Sequence, residues 1–414
     1  MAGGRGSPGK MRSVQAHQQV TAALFPRPSS DLVQVDQALG RVLAARVSAP
    51  SRLPGFDNSA MDGYAVRTAD ITDLPATLPV AEDIPAGRTD RLTLAPGTAH
   101  RIMTGAPIPS GADAVVPVEC TDAGAAVVTI NEGTSAGAHI RRAGSDISEG
   151  DTALPTGQII GPAQLGLVAA LGIPTITVTR QLHVLVVSTG SELVEPGHPL
   201  QFGQIYESNS PMLAASVTAA GAVAHRIHFV PDDTDQFLDR ISEFVDNGAS
   251  PVDLILTSGG VSAGAYEVVK EALAAHDVEF VKVAMQPGMP QGCGHFRSRG
   301  GRSVPIITVP GNPVSAQVSF EIFVRPPLRT AMGLPANRNR IAARVAESVR
   351  STPGKRQFRR GVLTSGGGSA VVRPIGPPSS HHLRFLASAN ALLDIPEDVE
   401  FLDQGALVSA LLID

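Results

Sequence analysis

Cysteine is scarce in this chain of 414 residues. Cys120 and Cys293 are too few for a disulfide framework or for a multi-cysteine zinc or iron–sulfur site, and they suit a reducing, cytoplasmic setting. Lysine is scarce as well, present only as Lys10, Lys270, Lys282 and Lys355 among 33 basic residues, so a placed lysine carries more meaning than usual. Charged residues make up 17% of the chain and the net charge is −5, which argues against nucleic acid as a partner. The longest uncharged run, Thr152–Thr179, is long enough to cross a bilayer, but Pro155, Pro162, Gln164 and Pro174 interrupt it; it reads as a buried helix between strands, with no membrane role. The N-terminal residues lack the apolar core of a signal peptide. No G-x-G-x-x-G stands between a predicted strand and a predicted helix, and no G-x-x-x-x-G-K-[ST] occurs, so neither an ordinary dinucleotide-binding dehydrogenase nor a P-loop ATPase is expected.

What is present is enough apolar sequence, 43%, to bury several cores, and the length calls for more than one domain. After a frayed tail over 1–11, helical spacing of apolar residues predicts helices from Val14 to Leu24 and from Asp36 to Ala45. These, with the uncharged run, make a helical linker domain of 12–48 and 151–181. Gly, Pro and short β-branched runs fill an inserted β-rich domain, 49–150. From His183 strands alternate with helices, which specifies an α/β domain over 182–331 with an open, mostly parallel sheet. Short strands separated by turns then give a small, barrel-like β domain over 332–414.

Three predicted strands of the α/β region end in small-residue loops. Ser188, Thr189 and Gly190 lead to Glu192; Ser258, Gly259 and Gly260 lead to Ser262; Pro310, Gly311, Asn312 and Pro313 lead to Ser315. Ligands of open parallel sheets bind beyond the carboxyl ends of the strands, where glycine lets a phosphate approach backbone N–H groups. Three such loops together point to a phosphate or other oxyanion. Glu192, Asp232 and Glu267 lie near them and are hard oxygen ligands suited to Mg²⁺ beside phosphates, whereas Asp233 and Asp235 suit the start of a helix. Lys282 closes a predicted strand as a point charge, and Arg141 and Arg142 with Asp146 could clamp an anion. A rival reading comes from Gly260-Val-Ser262-Ala-Gly264, a match to the G-x-S-x-G elbow. It would make Ser262 a hydrolase nucleophile with His295, His381 or His382 as base, although no oxyanion motif like HGGG accompanies it.

Seven segments in order, LPGFDNSAMDGYAVR, RIMTGAPIPSGADAVVP, IRRAGSDI, VVSTGSEL, GQIYESN, TSGGVSAG and VPGNPVSA, resemble the molybdopterin molybdenumtransferases known as MoeA, related to the C-terminal domain of gephyrin. The resemblance covers nearly the whole chain. It implies an elongated homodimer of four-domain subunits with an intersubunit active site. It also implies binding of adenylylated molybdopterin and molybdate, Mg²⁺-dependent hydrolysis of the adenylate with release of AMP, and a molybdopterin adenylyltransferase as the partner upstream. Positions matching the family's functional residues are Asp62, Thr104, Arg141, Asp146, Glu192, Asp232, Lys282 and Ser380; Glu267 stands where the family carries an aspartate. Gln286-Pro-Gly-Met289-Pro replaces the Lys-Pro-Gly-Lys-Pro of many relatives, leaving Lys282, Arg141 and Arg142 as the surviving cations. A non-catalytic scaffold of the same fold is the remaining alternative.

Overall fold

The computed structural model describes residues 11–230, 233–260, 268–366 and 369–413. The chain groups into two compact units, Leu32–Val178 and the segments on either side of it.

In the first unit a five-stranded sheet of Gly63–Val66, Ala76–Ile84, Ala99–Ile102, Ala114–Pro117 and Val127–Ile130 closes over Tyr64, Val66, Val116 and Ile130. A second cluster gathers Leu43, Leu154, Val168 and Val178 around the helix Pro162–Ala170, the helix expected within the uncharged run. The helix expected from Asp36 to Ala45 is absent; only a single 3-10 turn, Val35–Gln37, forms there. Gly40 takes φ +75°, which ends any helix, and Leu43 and Val42 instead bridge to Val178 and Ile159. Backbone groups that a helix would pair internally are satisfied across the cluster, with the Leu43 N–H donating to the Gln158 carbonyl at 2.9 Å.

The second unit contains a six-stranded sheet. Its strands are β1 (His183–Thr189), β2 (Val223–Val230), β3 (Leu254–Ser258), β4 (Asp277–Lys282), β5 (Pro290–Arg297) and β6 (Ser303–Val309), in the order β2-β1-β3-β6-β5-β4. All run in one direction except β5, which is antiparallel to both neighbours. One face packs on helix α1 (Asn209–Ala219) and on the helical run that begins with α2 (Pro313–Ser319); the other packs on Phe237, Ile241 and Val245 of Thr234–Asn247. β1 and β3 are buried on both faces, which is why they read as continuous apolar runs. Asp233 caps Thr234–Asn247 as expected, accepting from the Gln236 N–H at 2.8 Å.

The C-terminal part is a closed five-stranded barrel. β7 (Arg340–Val345), β8 (Arg356–Gly366), β9 (Ser369–Pro374), β10 (Ala391–Ile395) and β11 (Leu407–Leu412) join in the ring β8-β9-β7-β11-β10, and β10 returns to β8. Closure removes sheet edges. No helix among the described residues is long and apolar enough to cross a membrane, and both cysteines are free thiols.

The helix Val14–Ala22 packs into the second unit through Val14 and the fully buried His17, whose ring meets Phe323 edge-on at 4.6 Å. Burial, and then the Arg12 guanidinium, lower the pKa of His17 to about 4. A histidine depressed in the folded state favours folding fully above its unfolded value near 6.5, and the contribution is lost as pH falls from there toward 4. Wild type should therefore lose about 2 kcal/mol relative to His17→Asn between pH 7.5 and pH 5. Urea midpoints of the two proteins at both pH values measure this, and parallel pH profiles would contradict it.

Candidate functional site

The loops that follow β1, β3 and β6 all leave the carboxyl end of the sheet and meet there. Gly259 has φ +102°, and a Cβ on it would lie 2.8 Å from the Thr189 carbonyl oxygen; one on Gly311 would lie 3.3 Å from the Gly259 Cα. Three loops from three strands are thus in backbone contact, and glycine is what permits the approach.

Around this junction opens a cleft of about 660 Å³, lined among others by Ser188, Thr189, Gly190, Glu192, Ser258, Gly259, Gly260, Gly311, Asn312 and Pro313. A smaller cavity of about 320 Å³ shares Gly311 and Asn312 with it and adds Pro310, Ser315 and Ser380. The structure therefore brings together the described sequence-predicted residues of all three loops. Glu192 is exposed, with its carboxylate folded back over Gly190. Lys282 lies outside both cavities, exposed at the end of β4 and paired in the ladder with Pro290, which lines the smaller one. Asp232, Ser262 and Glu267 lie outside the described residues.

Sequence reasoning left out the residues that frame the cleft from α1. Glu207 is 5% exposed, and its carboxylate accepts from the Ser188 hydroxyl at 2.9 Å and from the Ser210 N–H and hydroxyl at 2.8 and 2.6 Å. One carboxylate thereby ties the first loop to the start of α1. Asn209 spans the other two loops, its Nδ2 donating to Ser258 Oγ at 2.8 Å and to the Gly311 carbonyl at 2.5 Å. Its Oδ1 is buried with no hydrogen-bond partner among the described residues, an acceptor left for a ligand donor. The only signal in the sequence was the ESN of GQIYESN, which reads equally well as the start of a helix. His381 completes the wall.

In the first unit, Asp62 and Thr104 form a pair: the Thr104 N–H and hydroxyl both donate to Asp62 Oδ1 at 2.6 Å. The hydroxyl, and then the N–H, hold the Asp62 carboxyl below the usual range, so it is ionised at neutral pH. Arg141, exposed, lies opposite Asn58 on a two-residue ladder, and Asp146 is exposed on the following turn. Arg142 does not serve as a free clamp; its Nη1 donates to Asp57 at 2.7 Å. No group of three or more His, Cys, Asp or Glu side chains converges among the described residues.

The hydrolase reading loses one of its bases to the topology. His295 pairs with Pro305 near the start of β6 and lines a separate cleft of about 630 Å³ with His276 and Ser303. That cleft opens at the amino end of β6, and the glycine loops lie at the carboxyl end.

Comparison with known proteins finds matches along nearly the whole chain. Residues 12–172 match the MoeA N-terminal region (domain I and II), 185–330 a probable molybdopterin binding domain, and 342–413 the MoeA C-terminal region (domain IV). The chain is 56% identical over 401 residues to molybdopterin molybdenumtransferase 2 of Mycobacterium tuberculosis, covering 94% of this chain and 96% of that one. It is 37% identical to molybdopterin molybdenumtransferase 1 of the same organism, covering 96% and 98%. A crystal structure of a molybdopterin biosynthesis MoeA protein from Pyrococcus horikoshii superposes with a TM-score of 0.78 at 29% identity, covering 97% of this chain and 99% of that one.

Gly259→Ala would set a side chain in a left-handed conformation against the Thr189 carbonyl, so the loops must separate. Strain of this kind costs about 1–3 kcal/mol. The variant should stay folded by circular dichroism and lose at least tenfold in ligand affinity by calorimetry; wild-type affinity would show that loop contact does not shape the cleft.

Proposed function

The chain belongs to the MoeA family of molybdopterin molybdenumtransferases, and from that premise we propose that it hydrolyses adenylylated molybdopterin with Mg²⁺, inserts molybdenum from molybdate and releases AMP. The enzyme is a molybdenumtransferase of molybdenum cofactor biosynthesis that binds molybdopterin. The observation that carries the finer reading is the cleft where three small-residue loops meet at the carboxyl ends of β1, β3 and β6 with Glu192 on its wall. A phosphoanhydride needs backbone approach and a counter-charge, and this cleft supplies the first at Gly190 and Gly260. The counter-charge falls to Lys282, to Arg141 and to a divalent ion. An exposed carboxylate among hydroxyls fits Mg²⁺, which keeps several waters and takes only one or two carboxylates. Glu192, with Asp232 and Glu267, would hold the ion, which when bound neutralises charge on the phosphates. The substrate is an adenylate, so an adenylyl-transferring enzyme must act upstream.

Glu192→Gln keeps the shape of the side chain and removes its charge. AMP release in the presence of adenylylated molybdopterin and molybdate should fall at least tenfold in this variant and stop in EDTA. Full turnover in either condition would remove the metal from this reading.

We further infer that the protein acts as a homodimer in which Asp62, Thr104, Arg141 and Asp146 of one protomer complete the cleft of its partner. A pocket normally encloses most of its ligand, and the sheet loops supply one wall. The Asp62–Thr104 pair is exposed and ionised, and has no evident structural duty. Mixing Asp62→Ala with Glu192→Ala chains should give heterodimers, detected by mixed-tag pulldown, that recover a fraction of the activity neither mutant shows. Heterodimers that remain at the mutant level would place the whole site within one chain.

A further inference from the structure

The cleft of about 630 Å³ at the other end of the sheet lies outside the site described above. It opens at the amino ends of β4 and β6, beside the helix Thr234–Asn247 and the turn 298–302 that joins β5 to β6. Its wall is built of fixed parts. The Asp246 carboxylate, near the end of that helix, accepts from the Ser298 hydroxyl at 2.6 Å and from the Gly300 N–H at 2.8 Å. Arg302 of the same turn donates through its guanidinium to the Val245 carbonyl. Across the turn the Ser298 N–H donates to the Arg302 carbonyl at 2.8 Å.

Two side chains on this wall are held by their acceptor atoms. The Arg297 N–H donates to His276 Nδ1 at 3.1 Å, and the Arg299 N–H donates to Ser242 Oγ at 3.2 Å. The donating groups are two residues apart, at most about 7 Å along extended backbone, which sets His276 and Ser242 side by side. A backbone N–H can only donate, so His276 Nδ1 carries the lone pair. Desolvation lowers the pKa of this histidine, and the ring is neutral at pH 7 with its proton on Nε2. Ser242, 3% exposed, likewise keeps its hydroxyl proton. Neither proton has an acceptor among the described residues. A helix serine ordinarily donates to the carbonyl four residues back, as Ser216 does to Met212 at 2.9 Å; Ser242 does not, and a buried donor left unspent calls for an acceptor from outside the chain.

Arg299 brings positive charge to the same wall. Its guanidinium pairs with Asp239, three residues before Ser242 on the helix, and both side chains are more than half exposed, so the pair is weakly held. The lining has one carboxylate, Asp277, whose side chain is 96% exposed. Apolar surface adjoins the donors: Leu238 and Ala275 line the cleft, and the His276 ring lies flat on the buried Phe296, with 4.9 Å between ring centroids and 11° between planes. Unspent donors, a cation free to change partner and an apolar wall select an anionic head on a small apolar body.

We propose that this cleft binds a small organic anion, whose phosphate or carboxylate head accepts from the Ser242 hydroxyl, the His276 Nε2–H and the Arg299 guanidinium, and whose apolar body lies against Leu238 and Ala275. The site stands at the opposite end of the sheet from the glycine loops and does not depend on the function proposed above.

The test is fluorine NMR of para-fluorophenyl phosphate and para-fluorobenzoate titrated with the full-length protein, with para-fluorobenzyl alcohol as the uncharged control. At least one of the two anions should broaden and shift while the alcohol does not, and the one that responds identifies the head the cleft takes. Arg299→Gln, Ser242→Ala and His276→Phe, which keeps a ring on Phe296 but loses the Nε2–H, should each raise the dissociation constant about five- to tenfold, the scale of one hydrogen bond. Asp239→Asn frees Arg299 from its ion pair and should tighten binding about two- to fivefold, an effect that a merely structural role would not produce. Because it alters only an exposed pair, Asp239→Asn keeps the test decisive where Ser242→Ala or His276→Phe fails to fold by circular dichroism. No response from either anion, an equal response from the alcohol, or binding indifferent to both Arg299→Gln and Asp239→Asn would overturn the proposal, the last by placing the anion elsewhere on the protein.

Discussion

Three backbone loops at the carboxyl ends of β1, β3 and β6 can lie against one another only if the residues at the junction have no side chains to separate them. Gly259 and Gly311 meet that condition, and the Thr189 carbonyl takes up the space a Cβ on Gly259 would need. The cleft, its position relative to the small cavity and the convergence of hydroxyls from Ser188 and Ser258 all follow from this contact. The parallel strands behind the loops provide the rigidity. β1 and β3 are buried on both faces, so their ends cannot drift without opening the core.

A second layer of polar bonds holds the loops in register with α1. Glu207 and Asn209 accept from and donate to the three loops, and neither side chain reaches the surface fully. A buried carboxylate is expensive unless its lone pairs are used, and Glu207 uses them on three donors. The site is thus organised by one buried carboxylate, hydroxyls, an amide and backbone. Lys282, at the end of β4, lies outside both cavities.

Local sequence was a poor guide where a neighbour, and not the segment itself, set the conformation. β5 was not foreseen, since it carries Pro290, Gly292 and Gly294, residue types depleted in strands. In the sheet those glycines are required, since a Cβ on Gly294 would fall 1.9 Å from the Asp277 carbonyl and one on Gly292 would strike Thr308 and Phe280. The helix expected from Asp36 failed for the converse reason. Its apolar spacing was real, but Leu43 and Val42 satisfy it by bridging to Val178 and Ile159, and Gly40 turns the chain between.

The sequence by itself determined the fold class, the alternation of strands and helices over 182–331, the barrel-like end and the three glycine loops. Each depends on short-range periodicity or on a residue type whose backbone freedom is its own property. It also carried the family, through seven ordered segments that outweigh the isolated G-x-S-x-G. Only the tertiary structure decided which polar residues share a site. Glu207, Asn209 and Gln286 are ordinary in sequence, and their pairing with partners far along the chain exists only once β-strand ends, helix starts and the barrel are brought together. Placement of hydrogen-bond donors is a property of packed surfaces, and no local pattern encodes it.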